Sequence, residues 1–408
     1  MTVAVPPPLS LYVHLPWCVR KCPYCDFNSH ARPQPGIPES AYVHALLDDL
    51  DLAAADAAGR PLVSVFFGGG TPSLFNAQSI AVVLERVDAL FGRDERREVT
   101  LEANPGTVER GRFAEYRGAG VNRVSLGAQS FDAGLLEALG RIHSPAETDV
   151  AVDELRAAGI DNFNLDLMYA LPQQSVAQAV DDLERALAHE PAHLSHYQLT
   201  LEPGTAFGRR PPPLPSDDDA FVMQLECQAR LDAAGLRQYE VSAYATDGRR
   251  CIHNLNYWEF GDYLGVGAGA HGKLTDPGRG AVTRTARVRQ PARYIAAGSG
   301  PERIAEVSTV TRAELSFEFA LNALRLVDGF DLHLFEARTG LPASTLQEPI
   351  SEAVARGLLG TGREGRWTPT DLGRRFLNDL QGLFLPRAEG GRSHPGGNSG
   401  LARADRIG

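Results

Sequence analysis

The most restrictive feature of this 408-residue sequence is a regular alternation of short apolar segments with helix-periodic segments. Helical periodicity is evident in Ser79–Phe91, Leu135–Leu139 and Thr148–Ala158. Apolar strands that alternate with helices are typical of βαβ units, whose strands run parallel in one sheet. Six such units predict an α/β fold, an incomplete (β/α)6 barrel. The predicted strands are Leu11–Leu15, Leu62–Phe67, Glu98–Glu102, Val121–Leu126, Phe163–Met168 and Leu194–Leu201.

The segments with chemically unusual residues follow these strands closely. Each lies at or just after the C-terminal end of a predicted strand, which is the face where barrel enzymes assemble their active sites. The sequence therefore predicts a single functional face at the carboxyl edge of the sheet. In chain order the segments are Cys18–Cys25, Gly68–Pro72, Glu102–Gly106, Gly127–Phe131, Asp166 and Gln198.

The chain beyond the sixth strand changes in character. Pro211–Pro215 predicts a stiff connector. Helix-periodic segments and a hairpin at Leu358–Pro369, followed by a helix over Leu372–Leu383, resemble a mostly helical winged-helix-like module. The last residues are rich in Gly, Arg and Ser, which is typical of disordered segments. We predict a barrel core over residues 1–210, a barrel extension over 211–305, a C-terminal winged-helix-like domain over 306–385 and a disordered tail over 386–408.

Composition limits the class of protein. An apolar content of 43% and a charged content of 22% are those of a soluble globular protein. No segment has the roughly 18 consecutive apolar residues of a membrane span, and MTVAVPPPLS lacks the features of a signal peptide. We expect a cytoplasmic protein, in which clustered cysteines indicate a metal centre. The net charge of −11 argues against a nucleic-acid partner.

Three of the five cysteines, Cys18, Cys22 and Cys25, lie within eight residues. Iron–sulfur cubanes usually bind four thiolates, one per iron, so three cysteines leave one iron without a protein ligand. An open coordination position makes a metal site reactive, as it does in catalytic zinc sites. Two alternatives remain: a zinc site with His14 or His30 as the fourth ligand, and three unrelated buried thiols.

The cysteine spacing resembles that of radical S-adenosylmethionine (SAM) enzymes. In that family an aromatic residue, here Tyr24, precedes the last cysteine, and a loop like Gly68–Pro72 (GGGTP) follows the second strand. The resemblance implies a [4Fe–4S] cluster held by Cys18, Cys22 and Cys25, whose open iron binds the amino and carboxylate groups of SAM.

Further residues resemble the oxygen-independent coproporphyrinogen dehydrogenase group. Glycines allow the backbone to approach a ligand closely, carboxylates accept from ammonium or hydroxyl groups, and arginine binds a carboxylate with two parallel hydrogen bonds. The resemblance also places Gly265–Ala270, with His271 nearby, beside the SAM adenine, and Tyr24 beside the cluster. The SAM contacts that it implies are Tyr12, Gly69, Gly70, Thr71, Glu102, Gln129, Arg141 and Asp166.

Two features separate this chain from the dehydrogenases of that group. Phe27 stands where they carry an additional cysteine, and only 17 residues precede Cys18, whereas they have a longer N-terminal segment that helps to close the active site. The chain resembles instead the HemW-type heme chaperones, whose signature His-Asn-x-x-Tyr-Trp matches His253–Trp258. The resemblance implies a heme chaperone, with coproporphyrinogen dehydrogenase as the alternative.

In that branch the signature motif binds heme. We expect His253 to act as an axial ligand through a neutral imidazole nitrogen, with Asn254 orienting the ring. Tyr257 and Trp258 offer flat faces for porphyrin packing. Without the resemblance, the same residues describe a core loop with a hydrogen-bonded histidine. The implied partners are heme and heme-accepting respiratory proteins at the membrane surface, and a homodimer is left open.

Overall fold

The computed structural model describes residues 5–57, 59–106 and 111–386. The strands are, in chain order, β1 (Leu9–Leu15), β2 (Trp17–Cys18), β3 (His30–Ala31), β4 (Leu62–Gly69), β5 (Glu98–Ala103), β6 (Arg123–Gln129), β7 (Phe163–Tyr169), β8 (His193–Gln198), β9 (Arg237–Glu240), β10 (Ala243–Ala245), β11 (Asp262–Val266), β12 (His271–Asp276), β13 (Ala281–Arg287), β14 (Ile304–Val310), β15 (Leu359–Thr361) and β16 (Trp367–Pro369).

The helices alternate with the first six long strands and dominate the last third of the described chain. They are α1 (Glu39–Asp56), α2 (Ala77–Phe91), α3 (Phe113–Ala119), α4 (Ala133–Ala138), α5 (Pro145–Ala157), α6 (Val176–Ala188), α7 (Ala206–Arg209), α8 (Asp217–Ala233), α9 (Ile252–Trp258), α10 (Pro291–Ala296), α11 (Arg312–Ala323), α12 (Leu332–Thr339), α13 (Gln347–Ala355), α14 (Asp371–Arg375) and α15 (Leu377–Gly382).

The six strands predicted for the barrel, β1, β4, β5, β6, β7 and β8, lie side by side in that order and all run parallel. Their side chains are mostly buried, as is usual for a parallel sheet covered by helices. The predicted α/β class is confirmed. The strand bounds differ by a few residues, most clearly in β6, which begins at Arg123 and includes Gln129.

The barrel extension joins the same sheet. Strand β11 lies parallel beside β1, on the side away from β4, and β12, β13 and β14 continue antiparallel from it. At the other edge, β10 and β9 pair antiparallel beyond β8. The result is a twelve-stranded sheet. Because β11 lies beside β1, the residues that follow β11 come next to those that follow β1.

Two hydrophobic clusters support this arrangement. One runs from Leu9 to Tyr294 and joins the barrel to its extension, while the other is formed mainly by the C-terminal helices, together with Phe260 and Val282. The four-segment division stays a prediction, and residues 387–408 of the predicted tail lie outside the described residues. Within the described ranges, no helix has the length and apolar character needed to cross a membrane.

The C-terminal segment agrees with prediction in one part and differs in another. The hairpin predicted at Leu358–Pro369 is confirmed as β15 and β16. The single helix predicted over Leu372–Leu383 is wrong, because α14 and α15 are separated at Phe376, whose backbone leaves the helical region (φ −112°, ψ 45°).

Candidate functional site

The three clustered cysteines lie on a loop that the chain closes on itself. Strand β2 contains Cys18 and pairs with β3, so the loop leaves the carboxyl end of β1 and returns beside it. Inside the loop, the Lys21 ammonium donates to the carbonyl oxygens of Phe27 (3.0 Å) and Ser29 (3.1 Å). The Cys25 Sγ lies 3.4 Å from the Ser29 hydroxyl. These bonds hold the loop in shape through its own backbone.

The donor set fits an iron–sulfur cluster. The thiols of Cys18, Cys22 and Cys25 are free and half-buried. Among the described residues, no three His, Cys, Asp or Glu side chains are close enough together to hold one metal ion, whereas a cubane needs one thiolate at each of several irons. Burial raises the pKa of Cys18 to about 11, opposed by a hydrogen bond from Thr71. Binding of iron would therefore have to stabilise the thiolate form.

The glycines at the end of β4 pack tightly against the end of β1 and the start of β2. Gly69 has φ +113°, and a Cβ built there would lie 2.4 Å from the His14 ring. A Cβ at Gly70 would lie 2.6 Å from the carbonyl oxygen of Trp17. Only glycine fits at these two positions, where the backbone approaches the His14 ring at Gly69 and the Trp17 backbone at Gly70. The loop is thus a preformed cradle beside the cysteines.

Two carboxyl groups lie below this cradle. Glu102 Oε2 accepts from the Gly69 amide at 3.1 Å, and burial raises the pKa of Glu102 to about 8, with Asp166 adding to the rise. Asp166 accepts from Ser125 Oγ (3.0 Å) and Asn164 Nδ2 (2.8 Å), and burial raises its pKa as well. Two neighbouring buried carboxyls favour a cationic ligand, because a positive charge would stabilise both ionised forms.

Arg141 lies beside the cysteine loop, in a recess that Cys22 also lines. Its guanidinium donates to Asn104 Oδ1 and to the Gly127 carbonyl (2.8 Å), and one nitrogen lies 3.8 Å from Cys22 Sγ. Asn104 in turn donates to Thr71 Oγ1 at 2.8 Å. The Arg141 Nε is buried without a partner among the described residues. An unsatisfied donor next to a cluster loop fits an anionic ligand group.

Gln129 occupies an unusual backbone position at the end of β6. Its φ of +66° lies in the left-handed region, which non-glycine residues rarely adopt. Its side-chain Oε1 accepts from the Tyr197 hydroxyl at 2.9 Å. Outliers of this kind are concentrated at functional sites.

A pocket opens beside the cysteine loop at the carboxyl edge of the sheet. We call it the central pocket; it encloses about 740 Å³ of space between protein atoms, part of which is open to solvent. It brings together three predicted SAM contacts, the residue that replaces the additional cysteine, and aromatic side chains from α9 and β11. These lining residues are Tyr12, Phe27, Gly69, Glu102, Tyr257 and Tyr263. Arg141 and Thr71 line a separate recess with Cys22.

The His253–Trp258 motif forms helix α9, which the barrel holds at its first turn. The carboxylate of Glu98, on β5, accepts from the amides of Ile252 (3.1 Å) and His253 (3.0 Å) and from Cys251 Sγ (3.4 Å). This bond set satisfies amides that a helix leaves unpaired at its start. The orientation of the motif is therefore determined by a barrel strand about 150 residues earlier in the sequence.

The His253 ring is enclosed in the core. It is 2% exposed, Nδ1 lies 2.8 Å from Ser64 Oγ, and Nε2 lies 3.2 Å from the Tyr257 hydroxyl. The ring stacks on Phe66 at 4.9 Å. Burial lowers the pKa of His253 to about 3, with Arg123 adding to the fall. The imidazole is thus neutral, as a metal ligand must be, but both nitrogens are engaged in this conformation.

The two aromatic residues of the motif point in different directions. Tyr257 reaches the central pocket. Trp258 packs under the Arg325 guanidinium, 4.3 Å from its ring centroid, and so faces the C-terminal helices. Tyr257 therefore lines the pocket, and Trp258, the other residue predicted to pack against a porphyrin, is not among the residues that line it. Tyr24 packs near Phe207, 6.4 Å between ring centroids, and its pKa is raised by burial.

Sequence reasoning assigned no role to several residues that shape this site. Asn104 directly follows a strand, and that position could have marked it as a site residue. Ser64 and Glu98 lie within apolar strand patterns, so the sequence gave no indication that they belong to the site. Asn28 donates to the carbonyls of Ala268 and Arg289, both at 2.8 Å, across 240 and 261 residues of sequence. No local pattern predicts such a contact.

Comparison with known proteins places the chain in a family. Residues 12–186 match the Radical SAM superfamily, and residues 310–376 match the HemN C-terminal domain. The structure resembles the coproporphyrinogen III oxidase HemN from Escherichia coli with a TM-score of 0.78 and 22% identity, over 94% of this chain and 91% of that one. This likeness confirms the predicted fold class.

Sequence similarity is higher to another group of proteins. The chain is 47% identical over 379 residues to the heme chaperone HemW of Escherichia coli and 46% identical over 383 residues to that of Haemophilus influenzae. Each match covers 93% of this chain and 98% of the relative. The Mycobacterium tuberculosis heme chaperone HemW is 36% identical, over 86% of this chain and 88% of its own length. Since this similarity runs through nearly the whole of both chains, the chain belongs to the heme chaperone HemW family.

Proposed function

We propose that this protein is a heme chaperone, which binds heme beside a SAM-ligated [4Fe–4S] cluster and delivers heme to acceptor proteins. Relatives that match almost its entire length carry the name heme chaperone HemW. The observation that carries the proposal is the position of α9, whose Tyr257 forms a wall of the central pocket beside the cysteine loop. The motif and the cluster loop thus share one cavity.

The cluster would be held by Cys18, Cys22 and Cys25, one thiolate per iron. When bound, it supplies an open iron position for the amino and carboxylate groups of SAM. The paired carboxyls of Glu102 and Asp166 suit a cationic or hydroxyl-bearing ligand, and the glycine cradle allows close backbone approach. The SAM contacts proposed on this basis are Tyr12, Gly69, Gly70, Thr71, Glu102, Gln129, Arg141 and Asp166, with Tyr24 beside the cluster.

His253 is proposed to be required for heme binding. Its Nε2 lies 3.2 Å from the Tyr257 hydroxyl, so it supports the wall that Tyr257 presents to the pocket. The axial-ligand role predicted for His253 stays a prediction. In the present conformation it requires the ring to give up one of its two hydrogen bonds and to leave the core.

The alternative function, coproporphyrinogen dehydrogenase, has less support. The similarity to the HemN structure is one of fold. Phe27 replaces the additional cysteine that the dehydrogenases carry, and its side chain lines the central pocket. An apolar ring at this position cannot donate a proton or hydrogen atom as a thiol can.

The remaining parts of the proposal concern partners and location. We propose that heme-accepting respiratory proteins at the membrane surface receive the heme, that the protein resides in the cytoplasm, and that nucleic acid is not a partner. A homodimer remains a prediction. Delivery of heme to an acceptor is supported by the name of the relatives, heme chaperone HemW.

One experiment tests the proposed function. The cluster is reconstituted anaerobically, and the same sample is titrated with heme and assayed for coproporphyrinogen decarboxylation with SAM and a reductant. We expect saturable heme binding with a Soret band, about tenfold or more weaker in His253→Ala, with cluster content and SAM affinity unchanged. His333→Ala, an exposed histidine on α12, is the matched control. Absence of saturable heme binding by the wild-type protein would contradict the proposal.

A further inference from the structure

A wide groove lies between α8 and the C-terminal helices. It encloses about 1000 Å³ of space between protein atoms, part of which is open to solvent. One wall consists of α8 and the turn between β9 and β10, and the other consists of α14, α15 and the residues that follow α11. We call it the C-terminal groove. It shares no lining residue with the central pocket or with the recess at Cys22.

Apolar side chains are exposed along both walls of this groove. Leu225, on α8, is 45% exposed and Val241 is 38% exposed, and both line the groove. Phe376 is 50% exposed at the backbone break between α14 and α15, and the residues on either side of it line the groove. Val222 and Leu372, which are neighbours of lining residues, are exposed as well. A group of exposed apolar side chains of this kind marks a surface that binds a partner.

The C-terminal groove also carries positive charge. Three arginines line it, Arg325, Arg374 and Arg375, and Asp371 is the one carboxylate among its lining residues. Arg374 pairs with Asp371. Arg375 is exposed, stacks 4.7 Å from the centroid of the Phe221 ring, and has no carboxylate within 4.0 Å among the described residues. In a chain of net charge −11, this grouping favours an acidic partner.

Arg325 connects the groove to the His253–Trp258 motif. Its guanidinium covers the Trp258 ring, 4.3 Å from the centroid, and lies 3.3 Å from the Glu240 carboxylate. Arg325 Nε and Trp258 Nε1 are both buried, and neither has a hydrogen-bond partner in the part of the chain that the structure describes. Buried donors without an acceptor are rare in folded proteins. A carboxylate that entered the groove would supply an acceptor for Arg325, the side chain that covers the end of the motif.

A helix is the occupant that these walls fit. The groove runs between helices, and an amphipathic helix that lays its apolar face into such a groove is a common mode of peptide recognition. Gln224 and Gln228, on α8, add hydrogen-bonding groups for polar side chains of the occupant. The chain's own residues 387–408 contain four arginines and two carboxylates. Their charge does not complement a groove lined by arginines.

We propose that the C-terminal groove binds a helical segment of a heme-accepting protein, which has apolar side chains along one face and acidic side chains beside them. The proposal rests on the proposed heme-chaperone function and specifies where the acceptor docks. The apolar face packs on Leu225 and Val241, and the carboxylates pair with Arg375 and Arg325. Because Arg325 covers Trp258, an acceptor that docks here contacts the side chain next to the motif without entering the central pocket.

The test measures binding of a labelled synthetic peptide to the cluster-reconstituted full chain by fluorescence anisotropy. The probe is a helical peptide of about four turns, with Leu on one face and Glu beside it. We expect saturable binding that weakens as salt is added. Leu225→Asp and Arg375→Gln should each weaken it about tenfold or more. Val354→Asp, which is 44% exposed on α13 outside the groove, and Arg363→Gln, exposed in the turn between β15 and β16, should leave it unchanged.

A second peptide, with Gln in place of every Glu, isolates the charge contact. The wild-type protein should bind it more weakly than the acidic peptide, and Arg375→Gln should cause little further loss. Equal binding of the acidic peptide by the wild-type protein, Leu225→Asp and Arg375→Gln would overturn the inference. It would also be overturned if these variants kept peptide binding but lost binding to phosphatidylglycerol vesicles, or lost self-association in sedimentation experiments, since a membrane or a second copy would then be the occupant.

Heme titration of the same preparations separates this inference from the proposed function. Leu225→Asp and Arg375→Gln should bind heme as the wild-type protein does, because neither residue lines the central pocket. If the wild-type protein binds no heme, the proposed function itself fails. If it binds heme and the peptide does not depend on the groove, the function stands and the docking site is refuted.

Discussion

The carboxyl group of Glu102 provides a quantitative test of the electrostatics in the central pocket. Burial and the neighbouring Asp166 raise the pKa of Glu102 from 4.5 to about 8. In the unfolded chain this group loses its proton near pH 4.5, whereas in the fold it keeps the proton until about pH 8. Folding therefore takes up a proton between these values, and the corresponding stability is present at low pH and lost as the pH rises through 8.

The magnitude follows from the same pKa values. A difference of one bound proton changes the free energy of unfolding by about 1.4 kcal/mol per pH unit, or about 4 kcal/mol between pH 5 and pH 8. Glu102 borders a pocket that solvent enters, and solvent screens its charge. We therefore expect the free energy of unfolding to fall by about 2–4 kcal/mol over this pH range. Glu102→Gln stays neutral and keeps an acceptor for the Gly69 amide, so it should lack this pH dependence.

The measurement is urea unfolding of the cluster-free protein under reducing conditions from pH 5 to pH 8.5. The wild-type protein should lose stability relative to Glu102→Gln as the pH rises, and the two should be closest at pH 5. Glu85→Gln, an exposed position on α2, controls for removal of a surface charge and should run parallel to the wild type. A constant difference between wild type and Glu102→Gln would show that Glu102 is ionised throughout and would refute the reasoning.

Three further predictions concern the cradle, the cluster and the chemistry. Gly70→Ala should destabilise the fold by about 1–3 kcal/mol, since the added Cβ would lie 2.6 Å from the Trp17 carbonyl oxygen. Thermal unfolding measures this loss. The control is Gly118→Ala, which should not destabilise the fold because a Cβ there meets nothing within 4 Å. Replacing all three cluster cysteines by alanine should abolish bound iron and sulfide, and four irons per chain in that variant would disprove the assignment. Anaerobic coproporphyrinogen decarboxylation should be negligible because Phe27 replaces the additional cysteine, and turnover like that of a dehydrogenase would reverse this interpretation.

Local patterns in the sequence were sufficient to predict six of the twelve strands of the sheet and the loop that carries the three cysteines. Each parallel strand is a short apolar run, because both faces of such a strand are buried, and this is visible in β4 and β7 without any tertiary information. The cysteine spacing and the GGGTP loop are contiguous motifs, so their residues are neighbours in sequence as well as in space. The prediction failed at Phe376, where a helical pattern continues through a break in the backbone.

The sequence by itself determined the α/β class, the carboxyl-edge position of the motifs and the residues available to bind a cluster. Only the tertiary structure decided that β11 lies beside β1, that His253 is enclosed with both nitrogens hydrogen-bonded, and that Asn28 joins the cysteine loop to the backbone at Ala268. The physical reason is that periodicity encodes which side chains are buried, whereas neighbouring strands are chosen by packing between residues far apart in sequence. The direction in which a histidine nitrogen points depends on those neighbours.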